Sequence, residues 1–454
     1  MFLSRIGCFG RGAGKSSGSP IRIHLPALWL LGLALSPLAS GQPLKEVVEK
    51  TIASNPDILV EITERQAREQ EFFGAEGGYL PSVDLTARYG REESNNSSTQ
   101  FTDRWLTRRE FGVTARQMIF DGFRTPSEVN RQKSRVNSAS HRVFSTSENT
   151  AARTVEVYLE VLRMQGLLEF ANESLAVHER IYDQIKLRTE SGVGRSADLA
   201  QIEARVALAR TNVVTDETNL RDAETNYLRV VGELPKELSA PDIENDVLPG
   251  SVEEAVDLAV TNHPVLNIAA ADIEAAKSQH ETAKSNNYPQ LDLVVGRTWN
   301  DDVDGVSGRN EDITAMIELR YNLFSGGRDL ARTQQTAYLI NQAKELRNRV
   351  YRQVVESIRL SWMAYQTAQR QHDFLIAQIQ ETEKTREAYL QQFNIGQRTL
   401  LDLLNTENEL LEAKRSELNS RYDGMFAYFR VLQGMGKLLE NLEIAAPEAS
   451  EPMM

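Results

Sequence analysis

The feature that most constrains this chain is an internal duplication. Ile52-Ala53-Ser54-Asn55-Pro56 returns as Ala259-Val260-Thr261-Asn262-His263-Pro264, and Tyr79-Leu80-Pro81-Ser82-Val83-Asp84-Leu85 returns as Tyr288-Pro289-Gln290-Leu291-Asp292-Leu293, with the prolines 208 residues apart in both cases. Further on the spacing is 204, relating Phe120-Asp121-Gly122 to Phe324-Ser325-Gly326, Tyr158 to Trp362, Gly192 to Gly396 and Asp198-Leu199 to Asp402-Leu403. One change of four residues, placed where the first half has the longer polar loop, is what duplication followed by loop drift leaves behind. The expected organisation is a signal peptide over 1–41, a first repeat over 42–240, a linker over 241–250, a second repeat over 251–442 and a flexible tail over 443–454.

Each repeat reads in the same internal order. An amphipathic helical stretch runs over 42–76, and again over 251–286, ending before a proline that pushes its predecessor out of the α region. Hairpins follow over 81–120 and 289–324. Val83, Leu85, Ala87 and Tyr89 alternate with Asp84, Thr86 and Arg88, and Ile313, Ala315, Ile317 and Leu319 alternate with Thr314 and Glu318. One apolar and one polar face on strands of roughly ten residues suits a barrel wall between lipid and a wet lumen. The turns over 91–108 and 300–312 are polar and read as loops facing water.

Long helical stretches are predicted from about Ser127 to Glu190 and from Ala331 to Asn394. Sixty-four residues at 1.5 Å each span roughly 96 Å. Apolar positions recur at three and four, as in Val354, Ile358, Trp362 and Tyr365. Charges fill much of the remainder, a pattern of coiled coil or helical tube and not of a membrane helix. Each ends at a glycine, Gly192 or Gly396, the helix-tip turns, and returns over 196–232 or 399–439. The fold class is thus mostly α, long antiparallel helical hairpins forming a tunnel, with a β-barrel contribution of four strands per subunit.

The first 41 residues hold Arg5, Arg11, Lys15 and Arg22 but no acid, then an apolar run over 25–35, then Ala39-Ser40-Gly41. That order is a secretory signal, its apolar run too short to span a bilayer. Removing four positive charges takes the formal net charge from −13 to −17, so nucleic acid is not an expected partner. The one cysteine, Cys8, falls in the basic region and leaves the mature chain without disulfide, cysteine metal site or lipid anchor.

No GxxxxGK phosphate loop occurs, so energy has to come from a partner. His141, His178, His263, His280 and His372 lack close ligand spacing; no metal, no cofactor and no enzymatic activity are expected. Four strands cannot close a barrel in lipid, where single chains need at least eight and an open edge leaves backbone groups unpaired. Three copies give twelve strands and four give sixteen. The alternative is a periplasmic coiled-coil adaptor or structural envelope protein, which should carry a compact β-rich domain beside its helical hairpin.

Signal, helix, proline-flanked hairpin, long helix, glycine tip and return helix, written twice over 42–442, resemble the TolC family of outer-membrane efflux proteins. The most specific piece is the second tip, from Phe393-Asn394-Ile395-Gly396 through Gln397-Arg398-Thr399 to Leu400-Leu401-Asp402-Leu403-Leu404. The resemblance implies a homotrimer with a twelve-stranded barrel in outer-membrane lipid and a periplasmic tunnel. It also implies a periplasmic adaptor (membrane fusion) protein and an inner-membrane ABC or RND transporter as partners. Without a lipobox, the chain is more similar to the type I protein-secretion branch than to the lipoprotein drug-efflux branch.

Asp198 and Asp402 each stand six residues beyond a tip glycine. In a symmetric oligomer any acid facing the axis becomes a ring of negative charge, which has to bind a cation, raise its pKa or be held by basic groups. Arg398, four residues before Asp402, suits that last role. An acid early in a helix also interacts favourably with the helix dipole and needs no other reason to be there. The resemblance implies that Arg398, Asp402, Asp198 and Phe393 hold the periplasmic gate. Asn405 stands where the family pattern has a second acid, and Phe393 lacks the hydroxyl of the aromatic it replaces, so cation block and the closing network should both be weaker.

Overall fold

The computed structural model describes residues 42–243 and 247–453; the signal expected over 1–41, with Cys8, lies outside them. The first half builds helices α1 (Leu44–Ser54) and α2 (Pro56–Glu76), strands β1 (Ser82–Ser94) and β2 (Arg104–Phe120), then α3 (Arg124–Glu190) and α4 (Ser196–Val231). The second builds α5 (Val252–Asn262), α6 (Pro264–Lys284), β3 (Gln290–Val303), β4 (Val306–Arg320), α7 (Arg328–Asn394) and α8 (Leu400–Gly434), closed by a short α9 (Leu438–Asn441). Both long helices have 67 residues, about 100 Å at 1.5 Å per residue.

Several boundaries depart from the sequence reading. The stretch over 42–76 is two helices, because Pro56 occupies a first helical position and leaves Asn55 extended with ψ 127°. The Asn55 side chain accepts from the Asp57 amide at 2.9 Å and caps the new start. His263 does the same before Pro264, with ψ 122° and its Nδ1 accepting from the Val265 amide at 3.3 Å. The return helix expected over 399–439 stops at Gly434, and Gly436, at φ +69°, turns the chain into α9.

The four strands form one antiparallel sheet in the order β1-β2-β3-β4, so the hairpins of the two halves lie side by side through β2 and β3. The loop expected over 300–312 is mostly strand. Val303 pairs with Val306 across Asp304-Gly305, whose φ values of 54° and 78° are those of a two-residue type I′ turn. Likewise β1 and β2 pair as far as Ser94 and Arg104, shortening the loop expected over 91–108.

Pairing puts Leu85, Val113, Arg297 and Ile313 in one row and Val83, Ala115, Val295 and Ala315 in another, all on one face. That face is uncovered: Leu85 is 65% and Ile313 72% exposed. Aromatic side chains mark both ends of the band. Phe111 and Trp299 meet at 5.4 Å at one end, while Phe120, Phe123 and Tyr288 form an edge-to-face series at the other. The opposite face carries Asp84, Thr86, Thr114 and Thr298, with Arg116 bridging Asp292 at 2.9 Å and Glu318 at 3.0 Å.

The largest core lies midway along the helices, where α1 to α9 all contribute, α2 through Ile58 and α6 through Leu266, around Tyr158, Tyr227, Ile358, Trp362, Tyr428, Leu432 and Leu438. The tail expected to be flexible is docked: Ile444 is buried in this core, Lys45 pairs with Glu443 at 2.6 Å, and further along α3 the Met453 amide donates to Asn137 at 2.8 Å. Glu148 of α3 holds α9, from which the tail departs, by accepting from the Leu438 and Leu439 amides at 3.2 and 3.1 Å.

Burial pushes the Glu148 carboxyl from its ordinary 4.5 up to about 7, the two amides offsetting part of the cost and nearby Glu440 adding to it. A folded pKa above the unfolded one means stability that is complete below pH 4.5 and is lost as pH rises through about 7. Hydrogen exchange over 435–453 should therefore accelerate beyond its intrinsic pH dependence between pH 5 and 8, and Glu148→Gln should flatten that rise. A flat profile in the unsubstituted protein would remove this role from Glu148.

Candidate functional site at the helical tips

At both far ends the chain reverses through a left-handed glycine. Gly192 (φ +76°) and Gly396 (φ +77°) have open space around them, so the backbone conformation and not crowding calls for glycine. The closing hydrogen bonds match: Gly192 N to Thr189 O at 3.0 Å and Val193 N to Arg188 O at 3.0 Å in one tip, Gly396 N to Phe393 O at 3.1 Å and Gln397 N to Gln392 O at 2.9 Å in the other.

The return helices begin differently. Thr399 caps α8, its hydroxyl oxygen accepting from the Asp402 amide at 3.2 Å, while the Asp402 carboxylate accepts from the Thr399 amide at 3.4 Å and hydroxyl at 2.9 Å. These bonds from Thr399, with Arg398 3.7 Å away, hold the Asp402 carboxyl below its usual range. Arg398 also lies over the Tyr389 ring at 4.2 Å and donates to Gln392 at 3.0 Å. In the first half Arg195 occupies the position of Thr399, α4 has no side-chain cap, and the Asp198 side chain has no hydrogen-bond partner among the described residues. Arg398 and Asp402 are thus brought together, and Asp198 makes no ion pair with Arg398 among the described residues.

Phe393 is only 6% exposed. It packs with Ile181, Ile185, Ile202, Val206, Leu400 and Leu403 under the Arg188 guanidinium, 5.2 Å from its ring. It fastens the two tips together from inside. Asn405 is exposed and accepts from Arg205 of α4 at 3.4 Å, linking the two return helices.

One acid at this end was missed by the sequence reading. Glu407 falls on the buried stripe Leu400, Leu403, Leu404, Leu410 and Leu411, and an acid at such a position was a legible signal. It faces a groove of about 310 Å³ between α3, α7 and α8, roomy enough for several waters. Around it stand Arg386 at 3.9 Å, His178, Arg180 and Lys414, the last also reaching Glu173 at 3.4 Å. Burial pushes the Glu407 carboxyl up in spite of these cations. Its ionised form therefore costs stability as pH rises, and its protonated form does not. Glu407→Gln should match or exceed the native protein in thermal stability at pH 8, by on the order of 1 kcal/mol, with the difference closing toward pH 5. A large loss at pH 8 would mean that the ionised acid is a net attraction.

An open amphipathic sheet carried on helices of about 100 Å, ending in paired glycine tips, defines a membrane duct. The chain matches the outer membrane efflux protein family over residues 47–233 and 255–435 and belongs to it. It is 23% identical to outer membrane protein TolC of Vibrio cholerae over 89% of this chain and 93% of that one, and 24% identical to the alkaline protease secretion protein AprF of Pseudomonas aeruginosa over 92% and 90%. Its fold is that of the CmeC outer membrane channel of Campylobacter jejuni, with a TM-score of 0.78 at 14% identity, covering 90% of each chain. The protein is an exit duct of the outer membrane, extending through the periplasm, for efflux or type I secretion.

Proposed function

We propose that the protein works as a homotrimer, three four-stranded sheets closing one twelve-stranded barrel and the α3–α4 and α7–α8 hairpins forming the tunnel. The observation that carries this is the sheet itself. Its apolar face is uncovered and the outer edges of β1 and β4 have no partner strand among the described residues, while lipid offers backbone groups no hydrogen bonds. Residues 1–41 serve as an export signal, and 42–240 and 251–442 act as equivalent repeats. Substrate arrives from an inner-membrane ABC or RND transporter through a periplasmic adaptor. The duct supplies passage and no chemistry. Likeness to AprF, named for alkaline protease secretion, favours a protein cargo and the type I branch.

The periplasmic gate is formed by Asp402, Arg398, Asp198, Phe393 and Asn405. Arg398 and Asp402 supply charge at the tip, Asp198 is an acid with no hydrogen-bond or ion-pair partner among the described residues, and Phe393 holds the tips together by packing. Opening would separate the tips at the small Phe393 cluster and leave the central core intact.

Mass measured in detergent should give three copies, and a monodisperse monomer or dimer would overturn the assembly. In a planar bilayer, replacing Arg398 and Asp198 together by Ala should raise single-channel conductance. Asp402→Ala should lower cation selectivity and block by multivalent cations. If all three quantities match the native channel, the gate lies elsewhere.

A further inference from the structure

Where the described chain starts, its backbone is held from two sides. The Gln42 amide donates to the Glu237 carbonyl at 2.6 Å, in a parallel bridge with Leu238. The Tyr158 hydroxyl lies 2.7 Å from the Gln42 carbonyl and 2.6 Å from that of Ser239, and accepts from the Ser239 amide at 3.0 Å.

Beside this contact three buried polar atoms have no hydrogen-bond partner of ordinary geometry among the described residues, Gln42 Oε1, Tyr227 Oη and Glu233 Oε1, although the Gln42 side chain also approaches the Glu233 carboxylate. Tyr227 is fully buried, and the charge of Glu233 helps to push its hydroxyl up, after burial itself. The other Glu233 oxygen is taken by Lys50 at 2.7 Å, with Lys236 at 3.7 Å. Two of the three unpartnered atoms only accept, and the third has one proton to give. Lys50 and Lys236 both take the same Glu233 oxygen, so the other one and Gln42 Oε1 are left in this pocket without a donor of their own.

The sequence offers one. Ala39 and Gly41 place small residues third and first before Gln42, the pattern of a signal cleavage site. Hydrolysis between Gly41 and Gln42 consumes one water and leaves a carboxylate on Gly41 and an amine on Gln42. A free α-amine titrates near about 8, so it is mostly protonated at neutral pH.

We propose that cleavage at Gly41–Gln42 creates an α-ammonium that this pocket holds, donating to the Glu237 carbonyl with the Glu233 carboxylate as its counter-charge. The inference rests on the export-signal reading and deepens it: processing fastens the new N-terminus to the segment that follows α4. That segment leads from one repeat to the other, so the start of the chain braces the join between halves.

The test uses protein purified from outer membranes. Intact mass should give a chain beginning at an unmodified Gln42. An amine-reactive acetylating reagent at neutral pH should then label the α-amine at least tenfold more slowly in native protein than in urea, and Glu233→Gln should remove most of that protection. Retention of residues 1–41 would overturn both the signal and the pocket. A start at another residue, a mass lower by one ammonia from cyclised Gln42, or equal labelling in native and unfolded protein would overturn the pocket alone. The comparison of native with urea-treated protein needs no substitution, so it stands even where Glu233→Gln fails to fold.

Discussion

A strand in lipid has no water to turn to, and every backbone group along it must find another strand. The rest of this protein follows from that demand. Four strands are too few to close, so they are displayed as an open sheet with its apolar face outward and its polar face, ion-paired through Arg116, inward. The pairing of β2 with β3 joins the halves at one end. Two 67-residue helices then carry the two chain reversals about 100 Å from that join.

The helices are fastened unevenly along this length. Midway, the aromatic core around Tyr158, Trp362 and Tyr428 draws α1 to α9 together, with Glu148 holding the start of α9. At the tips only a small cluster around Phe393 remains, beside Glu407, whose ionised form is costly where it sits. Tight packing midway and thin packing at the end are what a duct needs if its body is to stay fixed while its mouth moves.

Much of this was legible in the residues, and where it was not the reason is physical. Asn55-Pro56 and His263-Pro264 served as markers of duplication, yet each is also a helix break, since proline dictates the conformation of its predecessor. Asp304-Gly305 was hidden in a polar stretch read as a loop, although that dipeptide supplies both left-handed positions of a tight hairpin turn. The C-terminal segment looked loose by composition and is docked, because Ile444 and the Met453 amide find partners more than 300 residues earlier in the case of Asn137. At the tips, Arg398 and Asp402 share a turn and could be paired on paper, whereas Phe393 could not be placed without its neighbours.

The sequence by itself determined the two repeats, the amphipathic strands, the long helices and their glycine ends, because periodicity and backbone preference act over a few residues at a time. Only the tertiary structure decided that the hairpins lie side by side through β2 and β3, that Phe393 faces inward and Asn405 outward, and that Glu407 sits among cations from three helices. Those outcomes depend on contacts between residues far apart in the chain. No local pattern encodes the partner that a side chain will meet.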